Sequence, residues 1–162
     1  MKPELFTIGV YGWDEARFFA ALRDARVDTF CDIRARRGVR GSEYTFANSA
    51  RLQERLDELG IRYIHRPELA PSAAARNAQH SADEATHTAR RQRSTLSSAF
   101  IESYEAEVLT GFDSARFVAD LSPDARRVVL MCVEREPSAC HRGLLADRLA
   151  ADLGLEVTHL TP

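Results

Sequence analysis

The sequence predicts a three-layer, Rossmann-like α/β domain with a mainly parallel five-stranded sheet flanked by helices. Two observations carry that expectation. Five short runs rich in β-formers alternate with segments whose apolar residues recur at helical spacing, the pattern of strands joined by crossover helices. One run, Arg127 to Val133, is apolar almost throughout, as a strand covered on both faces should be. At 162 residues the chain is long enough to build a core without disulfide staples, and residues 1–162 are expected to form one domain.

Leu5 to Val10 is the first strand. Asp14 to Arg26 is a helix carrying Phe18, Leu22 and Ala25 on one side, with Asp14 as its N-cap. Val27 to Ile33 is the second strand. Asn48 or Ser49 caps a helix faced by Leu52, Leu56 and Leu59, and Gly60 fits its C-terminal exit. Ile61 to His65 is the third strand. Residues 71–94 are polar and Ala-rich without a clear apolar face, which suits a mobile excursion or lid and equally an exposed helix. A helix resumes near Thr95, burying Phe100, Ile101, Tyr104 and Val108, and Asp113 to Leu121 is a shorter one. The apolar run from Arg127 is the fourth strand, Ser138 to Leu153 a helix ending at Gly154, and Glu156 to Leu160 the last strand.

Net charge is −2, which excludes a strongly basic nucleic-acid protein but not a single basic face. Arginine supplies 21 of the 22 basic residues, so the cations are planar forks suited to phosphate and carboxylate. Three cysteines do not make a disulfide framework, and reduced thiols are expected. No apolar run approaches the roughly 20 residues of a membrane span, and the N-terminus does not resemble a signal peptide. The chain is therefore expected to be cytoplasmic.

In parallel α/β sheets ligands collect beyond the carboxyl ends of the strands. Tyr11 follows the first strand there. Asp32, Arg34, Arg36, Arg37 and Arg40 follow the second, and His65 the third. Glu134 follows the fourth, with Cys140, His141 and Arg142 in the first turn of the next helix. Unpaired N–H groups and the helix dipole favour an anion at such a turn and ease ionisation of a thiol. Arg90, Arg91 and Arg93 form a second basic cluster. Neither G-x-G-x-x-G nor a P-loop is present, which argues against a dinucleotide or P-loop enzyme. By residue type, Cys132, Cys140, His141 and one of His65 or His159 are candidate zinc ligands. Their spacing is a poor match to structural zinc sites, and Cys132 lies inside the apolar run, so no metal or other cofactor is expected.

Several of these residues together resemble the domain of unknown function 488 family. They are Thr7-Ile8-Gly9, Asp32-Ile33-Arg34, Gly60-Ile61-Arg62-Tyr63 with His65, and Phe100 with Tyr104. The most specific piece is Cys132-x-Glu134 followed by Cys140-His141-Arg142, and the likeness runs from about Leu5 to Leu160. It departs where the family usually has His-Ser after Thr-Ile-Gly, here Val10-Tyr11, and where it often has Leu-Gly-Gly, here Leu69-Ala70-Pro71. The resemblance implies a compact α/β domain widespread in bacteria, and it assigns no reaction.

The residues themselves suggest an enzyme acting on a phosphorylated small molecule, nucleotide or nucleic-acid end. Arg34, Arg142, Tyr11, Arg37 and Arg40 would bind the substrate, with Asp32, Glu134, Cys140, His141 and His65 as catalytic candidates. The alternative is a non-catalytic nucleic-acid-binding or protein-interaction module built on the arginine clusters. Membrane partners are not expected.

Overall fold

Every neighbouring pair of strands runs parallel. The computed structural model describes residues 2–162, and its sheet holds β1 (Glu4–Ile8), β2 (Thr29–Asp32), β3 (Arg62–His65), β4 (Arg127–Met131) and β5 (Val157–Leu160). The order across the sheet is β3-β2-β4-β1-β5. β4 is central, with Val128 beside Leu5 on one side and Thr29 on the other. Its residues Val128 to Met131 are wholly buried. Burying each such side chain contributes roughly 1.5–3 kcal/mol, which is why this strand has the most apolar sequence.

The helices are α1 (Glu15–Asp24), α2 (Ser49–Glu58), α3 (Ala73–Ala85), α4 (Ser98–Tyr104), α5 (Ser114–Ala119) and α6 (His141–Leu153). The chain moves from β1 past the β4 position to β2 and β3, then reverses through β4 to β5. With right-handed crossovers this reversal puts α1 and α2 on one face and the later helices on the other. α6 accordingly packs on β1, β4 and β5 and against α5. The C-terminal ends of β1, β4 and β2, where the direction of winding changes, are the crevice expected to receive a ligand.

Three local differences from the sequence expectations matter for the site. β4 stops at Met131, so Cys132 and Val133 lie just past the strand rather than in it. The last helix starts late: Pro137–Ala139 form a 3₁₀ turn, and Cys140 is its extended N-cap (φ −140°, ψ 146°). Beyond α4, residues Glu105–Leu109 form a π-type turn, closed by Thr110 N–H donating to Glu105 O at 2.8 Å. The extra residue in that turn shifts the helix phase, so Leu109 is buried and Val108 is only half-buried.

Much of 71–94 is helical. α3 is capped by the Ser72 hydroxyl, which accepts from Ala75 N–H, and it buries Ala75, Gln79 and Asp83. Two of those three are polar, which is why no apolar face could be read there. Gln79 donates to Asp83 at 2.8 Å and accepts from Ser97 N–H at 2.8 Å, while Arg93 grips Asp83 through Nε and Nη2. Among the described residues, no helix is long and apolar enough to cross a membrane.

Candidate functional site

The segment after β4 brings two cysteines and a histidine together. Cys132 N–H still donates to Ile8 O at 3.3 Å, holding the chain beside β1 after the ladder ends. The 3₁₀ turn then folds onto the start of α6. Gly143 permits that approach, because a Cβ there would sit 2.3 Å from Pro137 O. The Cys132 Sγ lies 3.5 Å and the Cys140 Sγ 3.8 Å from Nδ1 of His141. On its other side, His141 Nε2 faces Ile33 O at 3.0 Å. A carbonyl can only accept, so Nε2 carries the proton and the Nδ1 lone pair of the neutral ring faces the sulfurs. All three residues are buried.

Their electrostatics diverge. Burial pushes the Cys132 thiol well above its ordinary pKa, reinforced by Cys140 and by the charge of Glu134. Burial opposes ionisation of Cys140 as well. There it is outweighed by the hydrogen bond from Cys132 and by the positive charges of His141, when its ring is protonated, and Arg142, and the net shift is downward. Burial likewise lowers His141, but the Cys140 charge and hydrogen bond, Ile33 O and Glu134 raise it overall. Tyr104, its phenol donating to Leu69 O at 2.8 Å, closes this chamber with its ring 5.6 Å from that of His141.

A second cluster lies across the crevice at the end of β2. Arg34 is 3 % exposed and meets Asp32 as a fork, Nε to Oδ1 at 2.9 Å and Nη2 to Oδ2 at 2.8 Å. Asp32 also accepts from Arg34 N–H and from the Tyr63 hydroxyl at 2.7 Å. Burial, aided by that bond to Asp32, pushes the Tyr63 phenol up to about 12, so it stays a donor. Arg34 Nη1, by contrast, is buried and has no partner among the described residues.

Between the two clusters opens a cleft of about 1350 Å³, lined by Arg34, Cys132, Glu134, Cys140 and His141 and walled by residues of the 71–94 segment. Seven arginines line it against three acids. Some are committed: Arg90 Nε donates to Glu134 at 2.7 Å, and Arg93 binds Asp83. Arg91 lies over Tyr11 and Tyr44, 5.0 and 5.1 Å from their ring centres.

A family model described as Domain of unknown function DUF488 matches residues 15–149. The chain belongs to the DUF488 family. No curated protein and no solved structure matches it. The matched span of this DUF488 domain contains both clusters and most of the cleft, and leaves β1 and β5 outside.

The DUF488 chain brings Arg34, Tyr11, Arg40, Glu134, Cys140 and His141 to one cleft. It does not bring Asp32, His65, Arg37 or Arg142 to that lining. Asp32 is wholly buried and paired with the Arg34 guanidinium, and His65 Nε2 lies 2.7 Å from the Arg34 main-chain O. Arg37 lies near the Tyr63 phenol. Arg142, expected among the substrate-binding residues, does not reach the cleft lining. Its wholly buried guanidinium donates to Glu134 O at 2.6 Å, Arg135 O at 3.0 Å and Thr7 Oγ1 at 3.4 Å. Gly9 makes room, since a Cβ there would lie 2.0 Å from Glu134 O. Arg142 thus clamps the loop after β4. His159 Nδ1 lies 2.7 Å from Thr7 Oγ1, and it does not join the cluster of Cys132, Cys140 and His141. Tyr63 and Tyr104 were noted in the sequence for the family likeness, Tyr104 also as a core residue, and Arg93 only for its charge; Gln79 and Asp83 carried no signal beyond polar atoms in a helical run.

Proposed function

We propose that the protein is an enzyme that binds a phosphorylated small molecule or nucleotide in the cleft and carries out hydrolysis or group transfer on it. The observation that carries this reading is Arg34 Nη1, a buried cationic donor without an acceptor on a cleft wall. An unsatisfied buried donor costs about 1–3 kcal/mol, and more when charged, unless something supplies an oxygen. Asp32, itself held by the Tyr63 hydroxyl, fixes the guanidinium, and His65 holds the Arg34 main chain, so an anion would meet a pre-oriented donor rather than a flexible one. Arg36 and Arg40 from the loop after β2 add positive charge on the same side, and the excess of arginine over acid attracts anions to the cleft. Cys140, His141 and Glu134 are the reacting groups in this reading. Asp32 and His65 are positioning residues, and Arg142 holds the frame.

Thermal denaturation of the reduced protein with inorganic phosphate, pyrophosphate and nucleotides tests it. A true ligand at 100 times its Kd stabilises by about 2.7 kcal/mol, enough to raise Tm by several degrees. Arg34→Lys keeps a cation against Asp32 but removes Nη1, and is expected to abolish the rise. If no phosphate compound shifts wild-type Tm while nucleic acid binds with steep salt dependence, the non-catalytic module is the better account.

A further inference from the structure

We propose that Cys132, Cys140 and His141 form a zinc site at the floor of the cleft, with three protein ligands and a fourth position open to a water or a substrate atom. Zinc bonds of about 2.3 Å to sulfur and about 2.0 Å to nitrogen, at tetrahedral angles, place sulfur and nitrogen ligands about 3.6 Å apart. The two sulfurs here stand 3.5 and 3.8 Å from Nδ1 of His141. All three ligand atoms lie within 4.8 Å of one another. The sulfur–nitrogen spacings therefore match those around the bound ion. Sequence distance hid this, because the eight-residue step from Cys132 to Cys140 is not the short pair of a zinc ribbon.

The surroundings support the same assignment. Ile33 O fixes His141 with Nδ1 toward the sulfurs, the kind of outer contact that orients an imidazole ligand. Soft sulfur with imidazole nitrogen suits tetrahedral zinc and not the hard cations. Binding would displace the two thiol protons to solvent, and the resulting thiolates balance the two charges of the ion. All three residues line the cleft, and among the described residues no fourth His, Cys, Asp or Glu joins their group, which leaves the fourth position to a water or a substrate atom. His65 and His159 are held elsewhere. Glu134, 3.8 Å from Cys132 Sγ and paired with Arg90, lies beside the ligand set rather than in it. An open three-ligand site is the catalytic arrangement of zinc. In the proposed enzyme the ion would activate a water against the anion held by Arg34, with Cys140 and His141 acting through the metal rather than directly and Glu134 left as the acid–base group.

The test does not pass through anion binding. Protein stripped with chelator and kept reduced is reloaded with one equivalent of zinc, desalted and analysed for metal. The expected content is about one zinc per chain, as for a site whose thiolates bind tightly at neutral pH. Cys140→Ser and His141→Ala should fall to background, while Cys31→Ala, in β2, should retain the metal. Cobalt loading of the wild type gives a second readout that needs no variant: a thiolate-to-cobalt charge-transfer band with the d–d bands of a tetrahedral ion. Reduced wild-type protein that holds no zinc, or cobalt bound without that band, overturns the proposal. Recovery of a Cys132–Cys140 disulfide, with no metal retained after reduction, also overturns it in favour of a redox pair. Loss of the zinc site with phosphate stabilisation intact would sink this inference alone, and the reverse result would sink only the anion reading.

Discussion

Arg34, on the cleft wall, and Arg142, outside its lining, are both buried and do opposite jobs. Arg142 spends its donors on Glu134 O, Arg135 O and Thr7 Oγ1. Removing it orphans two carbonyls at about 1–3 kcal/mol each and leaves a cavity. Arg142→Ala is therefore expected to lose about 3–5 kcal/mol in urea denaturation, with any remaining folded protein still responding to phosphate. A small stability loss with abolished phosphate response would instead make Arg142 a ligand-binding residue. The Cys-x-Glu and Cys-His-Arg elements were legible as a site because their chemistry is carried by residue type. The fate of Arg142 was not, since its partners are main-chain carbonyls, which every residue possesses. Asp32 was misleading for a related reason: its carboxylate is consumed by Arg34 and Tyr63, and the tyrosine comes from a strand that only the sheet order brings alongside.

At the scale of elements, α3 shows where hydrophobic periodicity fails. Its buried face is a polar network, with Gln79 linked to Asp83 and to Ser97 N–H, and Arg93 paired to Asp83 with both side chains only 11 % exposed. Such a face is stable only when every member is satisfied. Asp83→Ala leaves a largely buried Arg93 without its carboxylate, and about 2–3 kcal/mol of local stability should be lost. Hydrogen exchange is expected to speed across 73–85 while β1 and β4 stay protected. Uniform loss of protection would mean that α3 is part of the global folding unit rather than a separately opening wall. α1 was legible because its buried face is apolar and its cap local: Asp14 accepts from Arg17 N–H at 2.8 Å. Asn48 precedes α2 but does not cap it through its side chain, which instead accepts from Val39 N–H at 2.8 Å and ties down the arginine-rich loop.

For the whole molecule, alternating strands and helices were enough to establish a parallel sheet. The order β3-β2-β4-β1-β5 was not legible, because insertion of β4 between β1 and β2 depends on long-range packing. That order brings the end of β2 next to the end of β4, and so sets Arg34 across the crevice from Cys132 and Cys140. It also segregates charge: a chain of net charge −2 presents a cleft with seven arginines and three acids. The central claim is that this cleft holds a phosphate-bearing ligand against Arg34. A crystal structure of the reduced protein grown with a saturating phosphate or nucleotide tests it most directly. The account predicts a phosphate oxygen within about 3 Å of Arg34 Nη1, the range of a charge-assisted hydrogen bond, with the Asp32 fork unchanged. Phosphate bound elsewhere, with Nη1 satisfied by an ordered water or by a shifted side chain of the protein itself, would contradict it.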